Sequence, residues 1–338
     1  MKKLLLGLLV TAVALIALLP LFACKDGKEY IFELNEDNFY ANWMQGLNED
    51  TLLKNVVMPG AHDAATANTD IYEEQLTPPN SNKMLEFFIE KTKCQSASIL
   101  DLMMRGARYF DLRVTKDSNG VLFTYHSSVN FQPWEDVVAE IAEYLKRGKD
   151  FLVLDFQHFE NGAQAEALQV FMQAIDFEKY ALTVDNDLDT LTLSDIKTSG
   201  KRFAVIWSRS TSLAPQYLFA RSQWLYSPYA QEKHYSPQTL IDHLDNYYNS
   251  FDGHGLFVLQ SQCSSNTNTN PRELENGMEP LANNYLLNIS EEQLNKTNIV
   301  MRDFVDEGDK IAIILSVNLR KNQVKQEYLH LFEYNEGN

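Results

Sequence analysis

Short β-rich runs alternate with longer amphipathic runs along almost the whole chain, and that alternation limits the fold more than any other feature. Strand candidates are Asn55 to Met58, Tyr109 to Val114, Val121 to Tyr125, Phe151 to Phe156, Arg202 to Trp207, Gln223 to Tyr226, Gly255 to Gln260 and Ile299 to Asp303. Helical patterns fall between or after most of them, at Trp134 to Lys146, Ala163 to Ile175, Pro237 to Tyr248, Arg272 to Leu287 and Lys310 to Leu319. Eight strands separated mainly by helices predict an α/β chain built as a (β/α)8 TIM-type barrel. The short turn at Gly120 leaves no room for a helix between the second and third strands, so an irregular barrel is expected. No repeat or biased linker divides the chain, and the polar stretch Ser264 to Asn270 reads as a surface loop. A single domain follows.

The N-terminus stands apart. Met1-Lys2-Lys3, the apolar run from Leu4 to Leu19 and the close Leu21-Phe22-Ala23-Cys24 carry the basic, apolar and small-residue regions of a secretory signal. Residues 1–23 are read as a signal peptide and residues 24–338 as the barrel domain. The segment resembles a bacterial lipoprotein signal, which implies cleavage before Cys24, a lipidated cysteine and an exported protein anchored in the cell envelope. Ordinary cleavage and a retained anchor are the alternatives. A formal net charge of −17 is repelled by nucleic acid and by bulk anionic lipid, so an anionic substrate must meet a local cluster of Arg or Lys. Cys94 and Cys263 could pair in an exported chain or remain two free thiols; their spacing suggests neither a metal site nor a nucleophile.

Reactive groups in such a barrel sit at the C-terminal ends of its strands, and the candidates here do so. His62 and Asp63 follow the first strand, Asp111 and Arg113 end the second, and His126 ends the third. Gln157 and His158 follow the fourth, Arg209 the fifth and Tyr229 the sixth, while Asp303 ends the eighth. In-line displacement on a phosphodiester needs one group to take a proton and another to give one, which imidazole does near neutral pH. A guanidinium offsets charge gathering on the equatorial oxygens. Taken singly, each residue has a plainer reading: a capped turn for His62-Asp63, a buried ion pair for Arg113, a strand-end ring for His126, a backbone-bonding carboxylate for Asp303. His234, His243, His254 and His330 are assigned to surface or packing, and the aromatic run from Trp224 to Tyr235 either packs or forms a lipid-facing rim over the barrel mouth.

At these residues the chain resembles the phosphatidylinositol-specific phospholipase C X-domain family, in particular its bacterial, metal-independent branch. The match runs from Asn42-Trp43-Met44 through Met58-Pro59-Gly60-Ala61-His62-Asp63 and Gly106-Ala107-Arg108-Tyr109-Phe110-Asp111-Leu112-Arg113. It continues through Tyr125-His126 and Val205-Ile206-Trp207-Ser208-Arg209 to Val300-Met301-Arg302-Asp303. The resemblance implies His62 as general base on the inositol 2-hydroxyl, with Asp303 orienting it. It implies Arg113 on the phosphate oxygens, His126 as general acid supported by Asp63, Asp111 as a positioning group and Arg209 on the head group. No metal cofactor is expected, because calcium-dependent relatives keep an acidic residue where Arg113 stands; calcium held by Asp63, Asp111 and Asp155 is the alternative.

Two departures bear on the head group. The family's lysine after the fourth strand is replaced by Gln157 beside His158, and its sixth-strand aspartate is missing from Ser227-Pro228-Tyr229, where Tyr229 could stack on the sugar ring. The expected partner is a phospholipid at a membrane surface, met by a monomer that binds no nucleic acid. Two other readings stay open: a head-group binding barrel without turnover, and a metal-dependent glycerophosphodiesterase.

Overall fold

The computed structural model describes residues 32–67, 82–229, 236–266 and 268–335. The expected signal peptide, Cys24, His234 and the last part of the aromatic run lie outside them. The chain divides into Met1–Glu33 and Leu34–Asn338, and every element below belongs to the second unit. No helix among the described residues is long and apolar enough to cross a membrane.

Ten strands form one sheet. They are β1 (Met58–Ala61), β2 (Tyr109–Lys116), β3 (Leu122–His126), β4 (Val129–Pro133) and β5 (Leu152–Phe159). The rest are β6 (Phe203–Trp207), β7 (Leu218–Ala220), β8 (Leu225–Tyr226), β9 (Leu256–Gln260) and β10 (Ile299–Arg302). Parallel pairing joins eight of them in the order β7-β6-β5-β2-β1-β10-β9-β8. The sheet curls into an irregular TIM-type barrel wall with helices around it. Among the described residues no pairing joins β7 to β8, so the wall is open along that seam.

The helices follow from amphipathic spacing. Trp134–Arg147 buries Trp134, Val137, Val138, Ile141, Tyr144 and Leu145 on one face. Glu135 and Asp136 in its first turn and Lys146 and Arg147 in its last oppose the helix dipole. Pro271–Leu287 opens with a capping box between Asn270 and Glu273 and a proline in its first turn, so the chain enters it without orphaned amides. Four strands of the wall, β1, β6, β9 and β10, are buried at every position, as parallel strands under helices must be.

Three strand expectations need correction. The first strand lies at Met58–Ala61 rather than Asn55 to Met58, and Asn55 closes a short 3-10 turn, Leu53–Asn55. Pro59 is tolerated there because β2 begins only at Tyr109, opposite Gly60, so the amide that Pro59 lacks has no strand to meet. The run ending at His126 is no stave of the barrel: β3 and β4 form an antiparallel extension hung on β2. The missing stave is β7, three residues long and too short to show a period of two.

At the N-terminal ends of the strands, Arg108 is fully buried. It donates from Nη2 to Asp150 Oδ2 at 2.7 Å and packs against Trp43 and Tyr144, with ring centroids 5.6 and 5.4 Å away. This end stabilises the barrel, and the other end holds the reactive groups.

Candidate active site

Strand register brings the reactive side chains together. Ala61 pairs with Arg302 on one side and Phe110 on the other, so the next residues, His62, Asp303 and Asp111, emerge side by side at the barrel mouth. The ladder continues one step, with His62 N–H donating to Arg302 O at 3.1 Å. Three residues at the mouth then adopt left-handed backbone without being glycine: Asp63 (φ 42°), Ser127 (φ 56°) and Phe304 (φ 45°), beside His62, His126 and Asp303. Such conformations are strained and turn the chain sharply.

His62 is held at both ring nitrogens. Nδ1 lies 2.7 Å from Asp303 Oδ1, while Nε2 lies 3.2 Å from Asp63 Oδ2 and 3.2 Å from Arg113 Nη2. His126 uses Nδ1 toward Thr92 O at 2.7 Å and Asp63 Oδ2 at 3.2 Å, which leaves its Nε2 for a substrate. Arg113 reaches Asp63 Oδ1 with Nε at 2.7 Å and Asp111 Oδ2 with Nη2 at 2.8 Å. The two imidazole rings are 6.2 Å apart at 76° and face one cavity of about 880 Å³. Asp63 and Asp111 are buried beneath it.

The electrostatics differ sharply between the rings. Burial opposes charge on His62, but the carboxylates of Asp63 and Asp303 outweigh it and push the pKa up to about 9. Burial dominates at His126 and, with Arg113 and His62 adding to it against Asp63, holds its pKa below the usual histidine value. Burial works against the Asp111 carboxylate, yet Arg113 and His62 keep its pKa low. The pair of rings thus holds one proton over the neutral range, resting on His62.

The cavity is also lined by Gln157, His158, Arg209 and Tyr229, with His158 paired in register with Arg113. Gln157 and His158 lie within β5, which runs three residues past its expected end. Arg209 is exposed and carries no ion pair or hydrogen bond among the described residues. Tyr229 is hydrogen-bonded to Ser264 through its hydroxyl. Cys94 and Cys263 are buried free thiols.

Sequence reading missed three contributors. Arg221 lines the cavity and is paired with Asp155 at 3.1 Å, which also accepts the Tyr109 hydroxyl at 2.7 Å. Thr92 anchors His126 through its carbonyl, which leaves no trace in residue type. Gln95 donates to His62 O at 2.8 Å and Arg302 O at 3.1 Å and accepts from Val305 N–H, clamping both reactive loops. A fully buried glutamine is the only signal it offers. Of the carboxylates named for calcium, Asp63 and Asp111 are paired with Arg113 and Asp155 with Arg221.

No family model matches the chain. The variant-surface-glycoprotein phospholipase C of Trypanosoma brucei brucei is 24% identical over 188 residues, 49% of this chain and 52% of that protein. A PI-PLC X domain-containing protein of Dictyostelium discoideum is 34% identical over 116 residues, 32% of this chain and 20% of its own length. The chain thus spans about half the first of these relatives and less of the second. The phosphatidylinositol-specific phospholipase C of Listeria monocytogenes superposes with a TM-score of 0.62 at 18% identity, over 82% of this chain and 98% of that one. The Staphylococcus aureus enzyme superposes at 0.60 and 13%, over 81% and 96%. In sequence the chain is similar to phosphatidylinositol-specific phospholipase C X-domain proteins, and in fold it has the barrel of the bacterial enzymes.

Proposed function

We propose that this cavity cleaves phosphatidylinositol, or a glycerophospholipid with a similar head group, to diacylglycerol and a cyclic inositol phosphate. The observation that carries the reading is convergence: two imidazoles and one guanidinium that line one cavity meet at a single buried carboxylate, Asp63. The relatives are phospholipases C by name, which supports the substrate class.

His62 Nε2 takes the proton of the inositol 2-hydroxyl, and that oxygen bonds to phosphorus. The bond from phosphorus to the diacylglycerol oxygen breaks, and His126 Nε2 gives that oxygen its proton. Arg113 holds the non-bridging oxygens, Asp303 steadies the imidazolium of His62, and Asp63 and Asp111 position the three basic groups. No metal takes part in this scheme, because Arg113 already supplies the fixed positive charge at the phosphate.

The reacting form has the shared proton on His126, whereas the resting form has it on His62. The two forms hold the same number of protons, so they share one pH profile. The resting charges favour a second reading in which His62 is the acid and His126 the base. A substrate with a nitrophenol leaving group separates them, because a good leaving group needs no acid. Expected is that His126→Ala loses about 10²- to 10⁴-fold on phosphatidylinositol and recovers most of it on the nitrophenyl ester, while His62→Ala stays low on both. The reverse pattern assigns the roles the other way. Full turnover in both variants removes the two-histidine mechanism, and no turnover in the wild type favours a head-group binding barrel.

The protein is further proposed to act as a monomer at a membrane surface, exported and anchored in the bacterial cell envelope through Cys24. Incorporation of labelled palmitate that is lost in Cys24→Ala is the expected result; label retained in that variant overturns the anchor.

A further inference from the structure

Behind the reactive groups, on the helix side of the sheet, lies a second set of charges. Neighbouring residues of a strand face opposite ways, so Arg302, which ends β10, turns its side chain into the helix layer while Asp303 turns toward His62. Arg302 Nη2 donates to Glu275 Oε1 at 2.7 Å and Nη1 to Asn283 Oδ1 at 3.1 Å, both on the helix Pro271–Leu287. Lys310, the first residue of the helix Lys310–Arg320, lies 3.6 Å from the same Glu275 oxygen and donates to Glu279 Oε2 and Glu307 O, each at 3.1 Å. Arg302, Glu275 and Lys310 are 1%, 2% and 1% exposed.

Buried ion groups of this kind add little net stability over an apolar filling, so the position of this one matters more than its strength. Arg302 is joined to the reactive residues twice. Its peptide bond leads into Asp303, and its carbonyl accepts from His62 N–H and from Gln95 Nε2, each at 3.1 Å. Holding the guanidinium therefore holds the turn on which the His62–Asp303 pair depends.

The charges also face each other. Arg302 and Lys310 are balanced by Glu275 and by Glu279, and the nearest charge on the reactive side is Asp303. Burial, with Asp303 adding to it against Arg302 and Lys310, pushes the Glu275 pKa up to about 7. Burial, with Asp303 and Glu275 adding to it, pushes the Cys263 thiol up to about 12, so that neighbour stays uncharged. Glu275 is thus ionised where His62 loses its proton, near 9, and neutral where His126 gains one.

We propose that Glu275 is a positioning residue of the active site: it anchors Arg302 so that the following turn presents Asp303 to His62, and it balances the buried cations behind that pair. The proposal rests on the reading of His62 as a proton-transfer group.

NMR titration of the His62 ring in the full chain, beside kcat/KM profiles on phosphatidylinositol, tests it. Glu275→Gln keeps the shape and removes the charge. Expected is a His62 pKa and a basic limb lowered by about one pH unit, the effect of one net buried charge, with the acidic limb unmoved. Lys310→Met should raise the His62 pKa by a similar amount, and the double variant should restore it. Glu275→Asp keeps the charge on a shorter arm, so the basic limb should stay while kcat falls about 10-fold. A plain structural brace would lower activity and melting temperature without moving either limb. A His62 pKa equal in Glu275→Gln and wild type overturns the proposal, as does an unchanged kcat in Glu275→Asp. If Glu275→Gln does not fold, an unmoved pKa in Lys310→Met overturns it. If the pKa moves as expected while the wild type leaves phosphatidylinositol intact, the charge linkage stands and the phosphodiesterase reading falls.

Discussion

Asp63 organises the reactive residues. Its carboxylate meets both imidazoles and Arg113, and its left-handed backbone puts it there at a cost of about 1–3 kcal/mol. It is also the first cause holding the His62 pKa up against burial. The His62 pKa is raised from 6.5 to about 9, so its contribution to stability is fully present below 6.5 and is lost as pH rises through 9. The urea midpoint is therefore expected to fall between pH 6.5 and 9.5 and to fall less in Asp63→Asn; an equal slope in both proteins would sink the linkage. The profile of kcat/KM should be bell-shaped, with its basic limb near 9 and its acidic limb below the usual histidine value. Arg113 serves two carboxylates at once, a geometry that a lysine cannot copy. Arg113→Lys should lower kcat/KM by roughly 10²-fold with little change in melting temperature.

β1 teaches the most about reading this chain. It is four residues long, contains a proline and a glycine, and from sequence looks like a turn behind a strand. Its place between β10 and β2 was fixed by what surrounds it, and Gly60 shows how closely: a Cβ there would lie 3.0 Å from both Ile299 Cγ2 and Tyr109 Cδ1. Gly60→Val is expected to destabilise the protein by about 1–3 kcal/mol in urea titrations, an overpacking effect, and a wild-type midpoint would refute the tight fit. Elements with a full period were legible, and the helix from Trp134 ends within one residue of its expected limit. The His62, Arg113 and His126 constellation was legible because chemistry restricts those residue types. Arg221 was not: it meets Asp155 from 66 positions away, on a short helix after a three-residue strand, and only the curl of the sheet joins them. His126 was placed correctly for the wrong reason, since an antiparallel hairpin carries it and no barrel stave does.

The molecule as a whole is strongly acidic, yet its main cavity presents Arg113, Arg209, Arg221 and Lys91. The anionic lipid proposed as substrate would be drawn by that local field against the repulsion of the rest, and salt screens both within about 10 Å at 0.1 M. Turnover on purely anionic vesicles should therefore rise with moderate salt, where long-range repulsion is screened first; a monotonic fall would show that the cavity governs the encounter. Chelator should leave kcat/KM unchanged, and loss of activity restored by calcium would overturn the metal-free scheme. Of the groups proposed to react, His62, Arg113 and Asp303 hang from β1, β2 and β10, neighbours in the middle of the curled sheet, and His126 from the hairpin carried by β2, whereas Arg209, Arg221 and Tyr229 hang from strands near its two free edges. Inner strands are braced on both flanks and outer ones are not. Descendants of such a chain can thus exchange one lipid for another by editing the margins, leaving the bond-breaking apparatus inherited intact.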